Sequence, residues 1–273
     1  MRIAIQGVKG SFHHKVAQEF FEPEIAVIEC MSFPMLVDQL VTGKATTAVM
    51  AIENSIAGAI LPNYALIDQH QLTIEGEFYL DIQHHLMGLP GQTIADIKEV
   101  WSHPMAHIQC RRFFQKYPSI KLVEDTDTAG VARQIQKEGL KGIGAIASVA
   151  ASQIYDLDII APQIQTIKNN ETRFFILNTK DKNVNIDCNK ASICFTTDHK
   201  RGSLATLLNI LSDCKLNLSK IQSMPVIETP WKYAFFVDVT FDAYSDYEKA
   251  KKVLAIMSTD FKILGEYENR KRK

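Results

Sequence analysis

The chain is short of cysteine and tryptophan, and it carries no excess of either charge. Its five cysteines (Cys30, Cys110, Cys188, Cys194 and Cys214) are spread over 273 residues, with no C-x-x-C pair and no spacing suited to zinc. An odd set of scattered thiols fits reduced, mostly buried side chains in the cytoplasm and not a disulfide framework. No apolar run approaches the roughly 20 residues of a membrane-spanning helix. The opening Met-Arg-Ile-Ala-Ile-Gln reads as a strand, not as a signal segment. The formal net charge of -1 argues against nucleic-acid or anionic-membrane partners. The basic residues after Glu268 read as a solvated tail. Internal repeats and low-complexity tracts are missing. No Walker lysine is present, and the turn Gly7-Val8-Lys9-Gly10 lacks the third glycine of a dinucleotide fingerprint.

What is present is ordinary globular composition, 46% hydrophobic and 22% charged, in a chain long enough for two domains. Through about residue 178, β-branched runs alternate with helix-period segments, which predicts α/β units. The first series has strands at 2–6, 25–29 and 47–52 and helices at 11–21, 32–41 and 57–68. Two apolar stretches, 72–78 and 80–89, follow with no room for a helix between them. A second series has strands at 99–102, 121–124 and 143–147 and helices at 104–117, 128–138 and 149–155. Segments 157–160 and 174–177 can return the chain to the first series. The pattern predicts two lobes joined by paired crossing strands, with a small-molecule cleft between them. Lobe one takes about 1–78 and 160–178, and lobe two about 80–158.

Residues 179–190 are polar and turn-rich, a linker by composition. Beyond them the order over 191–273 is βαββαβ, that of an α+β ferredoxin-like unit: strands at 192–196, 216–225, 233–241 and 261–267, with helices at 203–213 and 244–258. A unit this small tends to leave a sheet face or edge exposed, so self-association is expected.

Six clusters stand at strand ends and helix starts, where α/β proteins place their sites. They are Gly7 to Phe12, Ile52-Glu53-Asn54-Ser55 with Gly58, Ser102-His103-Pro104 with Gln109-Cys110, Asp127-Thr128-Ala129-Gly130, Ala147-Ser148, and Asn170-Glu171-Thr172-Arg173-Phe174. Each alone reads as capping and turn chemistry; the joint set carries more weight.

With these motifs in this order, the sequence resembles the prephenate dehydratase family. Ile-Glu-Asn-Ser, Ser-His-Pro with Gln-Cys, and Thr-Arg-Phe carry the resemblance, which extends over nearly the whole chain. It implies a two-lobed, periplasmic-binding-protein-like catalytic domain (1–178) followed by a regulatory ACT domain (191–273). It also implies decarboxylating dehydration of prephenate to phenylpyruvate in phenylalanine biosynthesis, with no metal and no cofactor, because aromatisation supplies the driving force.

The resemblance assigns catalytic roles to Thr172, Arg173, Glu53 and Asn54. Thr172 would assist hydroxyl departure as a positioned donor in a dry site, and Arg173 would meet a substrate carboxylate. Ser55, Ser102, Gln109, Ser11, Thr128 and Phe174 would surround the substrate, with Phe174 packing under the ring. His103 is open to two readings, a general acid or a residue that orients its helix start. His13, Ala51, Met105 and Thr166 depart from the family pattern without removing any of these groups.

Gly202, Ser203 and Leu204 resemble one ACT effector motif, and Gln222, Ser223, Met224 and Pro225 another, with Gln222 and Met224 in place of its charged pair. Phenylalanine is the implied effector, and a homodimer or homotetramer the implied assembly. Trp231 and the strand 233–236 read as core or dimer surface. Two other functions remain open: arogenate dehydration, and amino-acid sensing without catalysis.

Overall fold

The computed structural model describes all residues except 22, 23, 181–185, 199, 227, 228, 230, 231, 272 and 273. Trp231 and part of the expected linker lie outside the described residues. The chain divides into two compact units: Met1–Ala59 with Tyr79–Phe174, and Ile60–Phe78 with Phe175–Lys273. Two of the three boundaries fall inside strands, β5 (Thr73–Asp81) and β11 (Glu171–Asn178), and the third follows Ala59. The segment Ile60–Phe78 thus groups with the C-terminal residues, a grouping absent from the sequence-based division.

The first sheet is built from β1 (Arg2–Gln6), β2 (Ala26–Cys30), β3 (Thr47–Asn54) and the two-residue β4 (Gly58–Ala59), together with β5 and β11. Its order is β2-β1-β3-β11-β5, with β4 on β3, and β1 runs parallel to both neighbours. Helices α1 (Phe12–Phe20) and α2 (Phe33–Val41) return the chain between its first strands.

The expected helix at 57–68 starts later, as α3 (Leu61–Gln69), with Pro62 in its first turn. Residues before it form the β3–β4 hairpin, pairing Glu53 with Ala59 and Asn54 with Gly58. Gly58 takes φ +84° there, a conformation costly for residues with a Cβ.

The second sheet, whose strands all lie in the first unit, has the order β10-β6-β9-β7-β8. Its strands are β6 (His85–Gly88), β7 (Glu99–Ser102), β8 (Lys121–Glu124), β9 (Ile143–Ala147) and β10 (Asp158–Ala161). Helices α4 (Pro104–Phe114), α5 (Thr128–Glu138) and α6 (Val149–Ile154) connect them. β7 is parallel to β8 and β9, while β6 is antiparallel to β9 and β10.

The two lobes are pinned together by the turn after β1. Val8 is fully buried among Met87, Ala129, Ala145 and Ala151 of the second lobe. Ser148 Oγ donates to the Gly10 carbonyl at 2.6 Å, and Tyr155 OH to that of Lys9 at 2.7 Å. A Cβ on Gly7 would sit 2.9 Å from Asp127 Oδ1, and one on Gly10 2.9 Å from Ala151 Cα. Both glycines are therefore required by close approach as well as by positive φ.

In the second unit, β12 (Lys190–Thr196), α7 (Ser203–Asp213), β13 (Asn217–Pro225), β14 (Tyr233–Thr240), α8 (Tyr244–Met257) and β15 (Thr259–Tyr267) give βαββαβ as expected. The antiparallel sheet has the order β13-β14-β12-β15, the ferredoxin-like arrangement. Phe195, Leu207, Val237, Tyr247 and Leu254 fill the space between sheet and helices. Lys190, placed in the linker by composition, is instead a buried strand residue. Its Nζ lies 2.8 and 2.9 Å from the two Glu77 carboxylate oxygens. Among the described residues, no helix is long and apolar enough to cross a membrane.

Candidate active site

β3 ends at Glu53-Asn54, and Asn54 builds the turn that follows. Its side-chain oxygen accepts from the backbone N–H groups of Ile56 (3.0 Å) and Ala57 (2.9 Å), an Asx-type turn. Backbone N–H groups only donate, so the orientation of this amide is settled by chemistry. Its Nδ2 then faces β11, 2.7 Å from Asn170 Oδ1, 2.9 Å from Thr172 Oγ1 and 3.3 Å from the Glu171 carbonyl oxygen. Ser55 closes the junction in both directions: its N–H donates to the Glu171 carbonyl (2.8 Å), and its Oγ accepts from the Glu171 N–H (2.9 Å).

Thr172 therefore sits in a strand, not in the turn before one, with its hydroxyl oxygen already accepting a hydrogen bond. The proton of that hydroxyl has no acceptor among the described residues.

From the second lobe, α4 brings Gln109 to the same junction. Its Oε1 lies 2.9 Å from Asn170 Nδ2 and 2.9 Å from His84 Nε2. Its Nε2 makes no hydrogen bond among the described residues. Asn54, Ser55, Thr172 and Gln109 are the sequence-selected residues that meet here, whereas Glu53 is placed only by its pairing with Ala59 in the β3–β4 hairpin. Neither Asn170, named only as part of a cluster, nor His84 was assigned a role. The signal for His84 was a His-His pair interrupting the apolar run 80–89.

Other expected site residues are placed differently. Ser102 is fully buried at the end of β7 and donates its hydroxyl to the Ile146 carbonyl at 2.9 Å. Its donor is spent across the β7–β9 pair, and this corrects the expectation that it faces substrate. Ser11 is 3% exposed and caps α1 through the His14 N–H (3.2 Å). Thr128 opens α5 behind its cap Asp127, whose carboxylate accepts from Gly130 N at 2.8 Å. Burial raises the pKa of Asp127, against the backbone hydrogen bonds from Gly130, Val8 and Thr128.

Arg173 is buried, with its guanidinium 5.9 Å from the Tyr79 ring centroid. Phe174 is buried edge-on to His13, with centroids 5.0 Å apart. His103 caps α4, its Nδ1 accepting from Met105 N at 3.2 Å, in line with the helix-orienting reading.

His13 and His84 are folded as neutral imidazoles, because burial lowers their pKa values to about 3 and about 4. His13 Nε2 accepts from the Ala51 N–H at 3.2 Å. Above the ordinary value near 6.5 both folded and unfolded chains hold these rings neutral, and nothing is lost. As pH falls below it, only the unfolded chain takes the protons. Stability should fall by about 1.4 kcal/mol per pH unit for each ring down to its folded pKa. Denaturation midpoints should therefore drop between pH 6.5 and 5, and a flat profile over that window would contradict the burial of neutral rings.

In the second unit, the register Thr196–Ala234–Met224 puts the two segments expected to bind an effector at one end of the sheet. Gly202 precedes α7 at φ +86°, Ser203 opens that helix, and Leu204 packs on the core. Gln222, Ser223, Met224 and Pro225 end β13, an edge strand, where Gln222 Nε2 donates to the Ser223 carbonyl at 3.0 Å.

Residues 3–182 match the family model described as prephenate dehydratase. The chain belongs to the prephenate dehydratase family. Members of that family are carbon–oxygen lyases, and its two α/β lobes and C-terminal ACT-type sheet are those described above. Arogenate dehydratase 2 of Petunia hybrida is 33% identical, covering 98% of this chain and 71% of the relative. A structure described as GqqA, a novel type of quorum quenching acylase, aligns with a TM-score of 0.87 at 26% identity over 98% of both chains. The prephenate dehydratase of Arthrobacter aurescens in complex with L-Phe aligns with a TM-score of 0.86 at 23% identity, over 98% of this chain and 90% of that one.

Proposed function

We propose that the protein converts prephenate to phenylpyruvate and that phenylalanine binds its C-terminal unit as a feedback effector. The observation that carries the reading is the hydroxyl of Thr172. Asn54 occupies its acceptor side, so its proton is left for a substrate oxygen. In the reaction, the ring carboxylate leaves as carbon dioxide and its bonding pair enters the ring. The ring hydroxyl departs as that pair arrives, and with one proton it becomes water. A donor fixed where the leaving oxygen gains charge lowers this barrier without a metal.

Gln109, whose Nε2 is unused among the described residues, supplies a second donor from the other lobe. Glu53, one residue before Asn54 in β3, keeps the catalytic role that the family motif gives it, and Ser55 follows Asn54 at the same strand end. Phe174 packs against His13, and Arg173, next to Thr172 in β11, keeps the carboxylate-binding role that the family motif gives it.

The effector reading rests on the two motifs at one end of the sheet. The relative solved with L-Phe has the same fold, which suits it. Self-association through the second unit fits the exposed Leu218 and Ile221 of edge strand β13, and sedimentation should give a dimer or tetramer.

Arogenate differs from prephenate by an ammonium in place of a ketone, and the Petunia relative's name keeps it as a second substrate. The test is ultraviolet detection of phenylpyruvate from prephenate, with phenylalanine formation from arogenate assayed in parallel and phenylalanine titrated into the prephenate reaction. Turnover of prephenate suppressed by phenylalanine is the expected result. Turnover of arogenate alone would move the substrate assignment, and no turnover of either by folded protein would overturn the reading.

A further inference from the structure

The hydrogen bonds around Thr172 form a chain whose proton directions follow one from another. The backbone N–H groups of Ile56 and Ala57 can only donate, so the Asn54 oxygen is the acceptor and its Nδ2 the donor. Asn170 Oδ1 then accepts, which turns Asn170 Nδ2 toward Gln109, 2.9 Å from Oε1. Gln109 Oε1 is thereby an acceptor, so the His84 nitrogen 2.9 Å away must carry its proton. His84 is consequently the Nε2–H tautomer.

Its bare Nδ1 is buried without a partner among the described residues. A second proton there would have no acceptor, which agrees with the low pKa that burial gives this ring beside His85. The chain takes one side chain from the end of β3, one from α4 and one from each crossing segment between the lobes, Ile82–His84 and Asn170.

We infer that His84 is a positioning residue of the dehydratase site. Donating with Asn170 to Gln109 Oε1, it holds the Gln109 amide with its NH2 group turned away from both donors, toward substrate. Without His84, one donor is lost and the amide can flip, presenting a carbonyl oxygen to an anionic substrate. The inference rests on the proposed dehydratase function, but its first test does not.

Long-range proton–nitrogen NMR on the wild-type protein at pH 7 should show His84 protonated at Nε2 and bare at Nδ1. The opposite tautomer would overturn the inference whatever the substrate. For turnover, His84→Phe should lower kcat/KM for prephenate by about tenfold, in the range of a lost hydrogen bond. His84→Gln, which restores a donor, should recover most of it. In a Gln109→Leu background, His84→Phe should cost nothing further, since the group it orients is gone. An equal loss in both backgrounds would show that His84 acts only through general stability. If His84→Phe does not fold, His84→Leu serves in the same cycle, and the wild-type tautomer stands as an independent measurement. Wild-type protein inactive toward both prephenate and arogenate, with the expected tautomer, would sink the dehydratase reading and leave the oriented chain intact.

Discussion

Thr172→Ala should lower kcat by roughly 10²–10³-fold, about 2.7–4 kcal/mol of transition-state stabilisation, the range for one preorganised donor in a water-excluded site. KM for prephenate should change little, because the substrate hydroxyl is already well solvated and gains charge only as it leaves. The alanine also leaves Asn54 Nδ2 with one acceptor fewer, but Asn170 Oδ1 at 2.7 Å continues to hold it. Thr172→Ser separates the two contributions: it restores the hydroxyl and should recover most of the rate. Steady-state kinetics on the three proteins decides the matter. A Thr172→Ala enzyme with normal turnover would remove Thr172 from the chemistry and leave it a strand residue.

Replacing Lys190 by Met should destabilise the second unit by about 3–5 kcal/mol, the range for removing one partner of a buried pair. The side chains of Lys190 and Glu77 are 3% and 0% exposed, and the ammonium lies within hydrogen-bond distance of both carboxylate oxygens. The Arg270 N–H also donates to Glu77, at 3.2 Å, so the carboxylate collects charge-assisted bonds from two distant parts of the chain. Without the ammonium, a buried carboxylate would lose a counter-charge held within hydrogen-bond distance. Lys190→Met combined with Glu77→Leu should recover much of the loss, since the cost lies in the stranded charge and not in the missing attraction. Urea or thermal denaturation of the single and double variants tests this. A loss below about 1 kcal/mol for the single change would mean the pair behaves as an exposed one.

These two predictions differ in how far they could be read from the chain itself. Thr172, Asn54 and Gln109 belong to short motifs at strand ends and helix starts, and a motif is local enough to be visible in sequence. The Lys190–Glu77 pair joins residues 113 apart. By composition Lys190 sat at the end of a polar linker, and Glu77 is one of two glutamates, with Glu75, in the stretch 72–78, with nothing local to say that Lys190 and Glu77 meet. Local patterns also misled at two points. Ser102 stands at a strand end, where binding hydroxyls are expected, but its partner is a carbonyl of the neighbouring strand. The helix expected from Ala57 begins at Leu61, because Asn54 and Gly58 spend the intervening residues on a hairpin.

By itself the sequence determined the alternation of strands and helices, the βαββαβ order of the C-terminal unit and the motifs that place the chain in its family. Each of these depends on side-chain periodicity, capping and turn chemistry within a few residues. Only the tertiary structure decided that Ile60–Phe78 groups with the C-terminal residues and that Val8 plugs the core of the second lobe. It also decided which way the amides of Asn170 and Gln109 point. Those amide orientations depend on which donor meets which acceptor across gaps of 25 to 116 residues. A hydrogen-bonding side chain carries no record in sequence of the partner that will settle its orientation; folding supplies that partner.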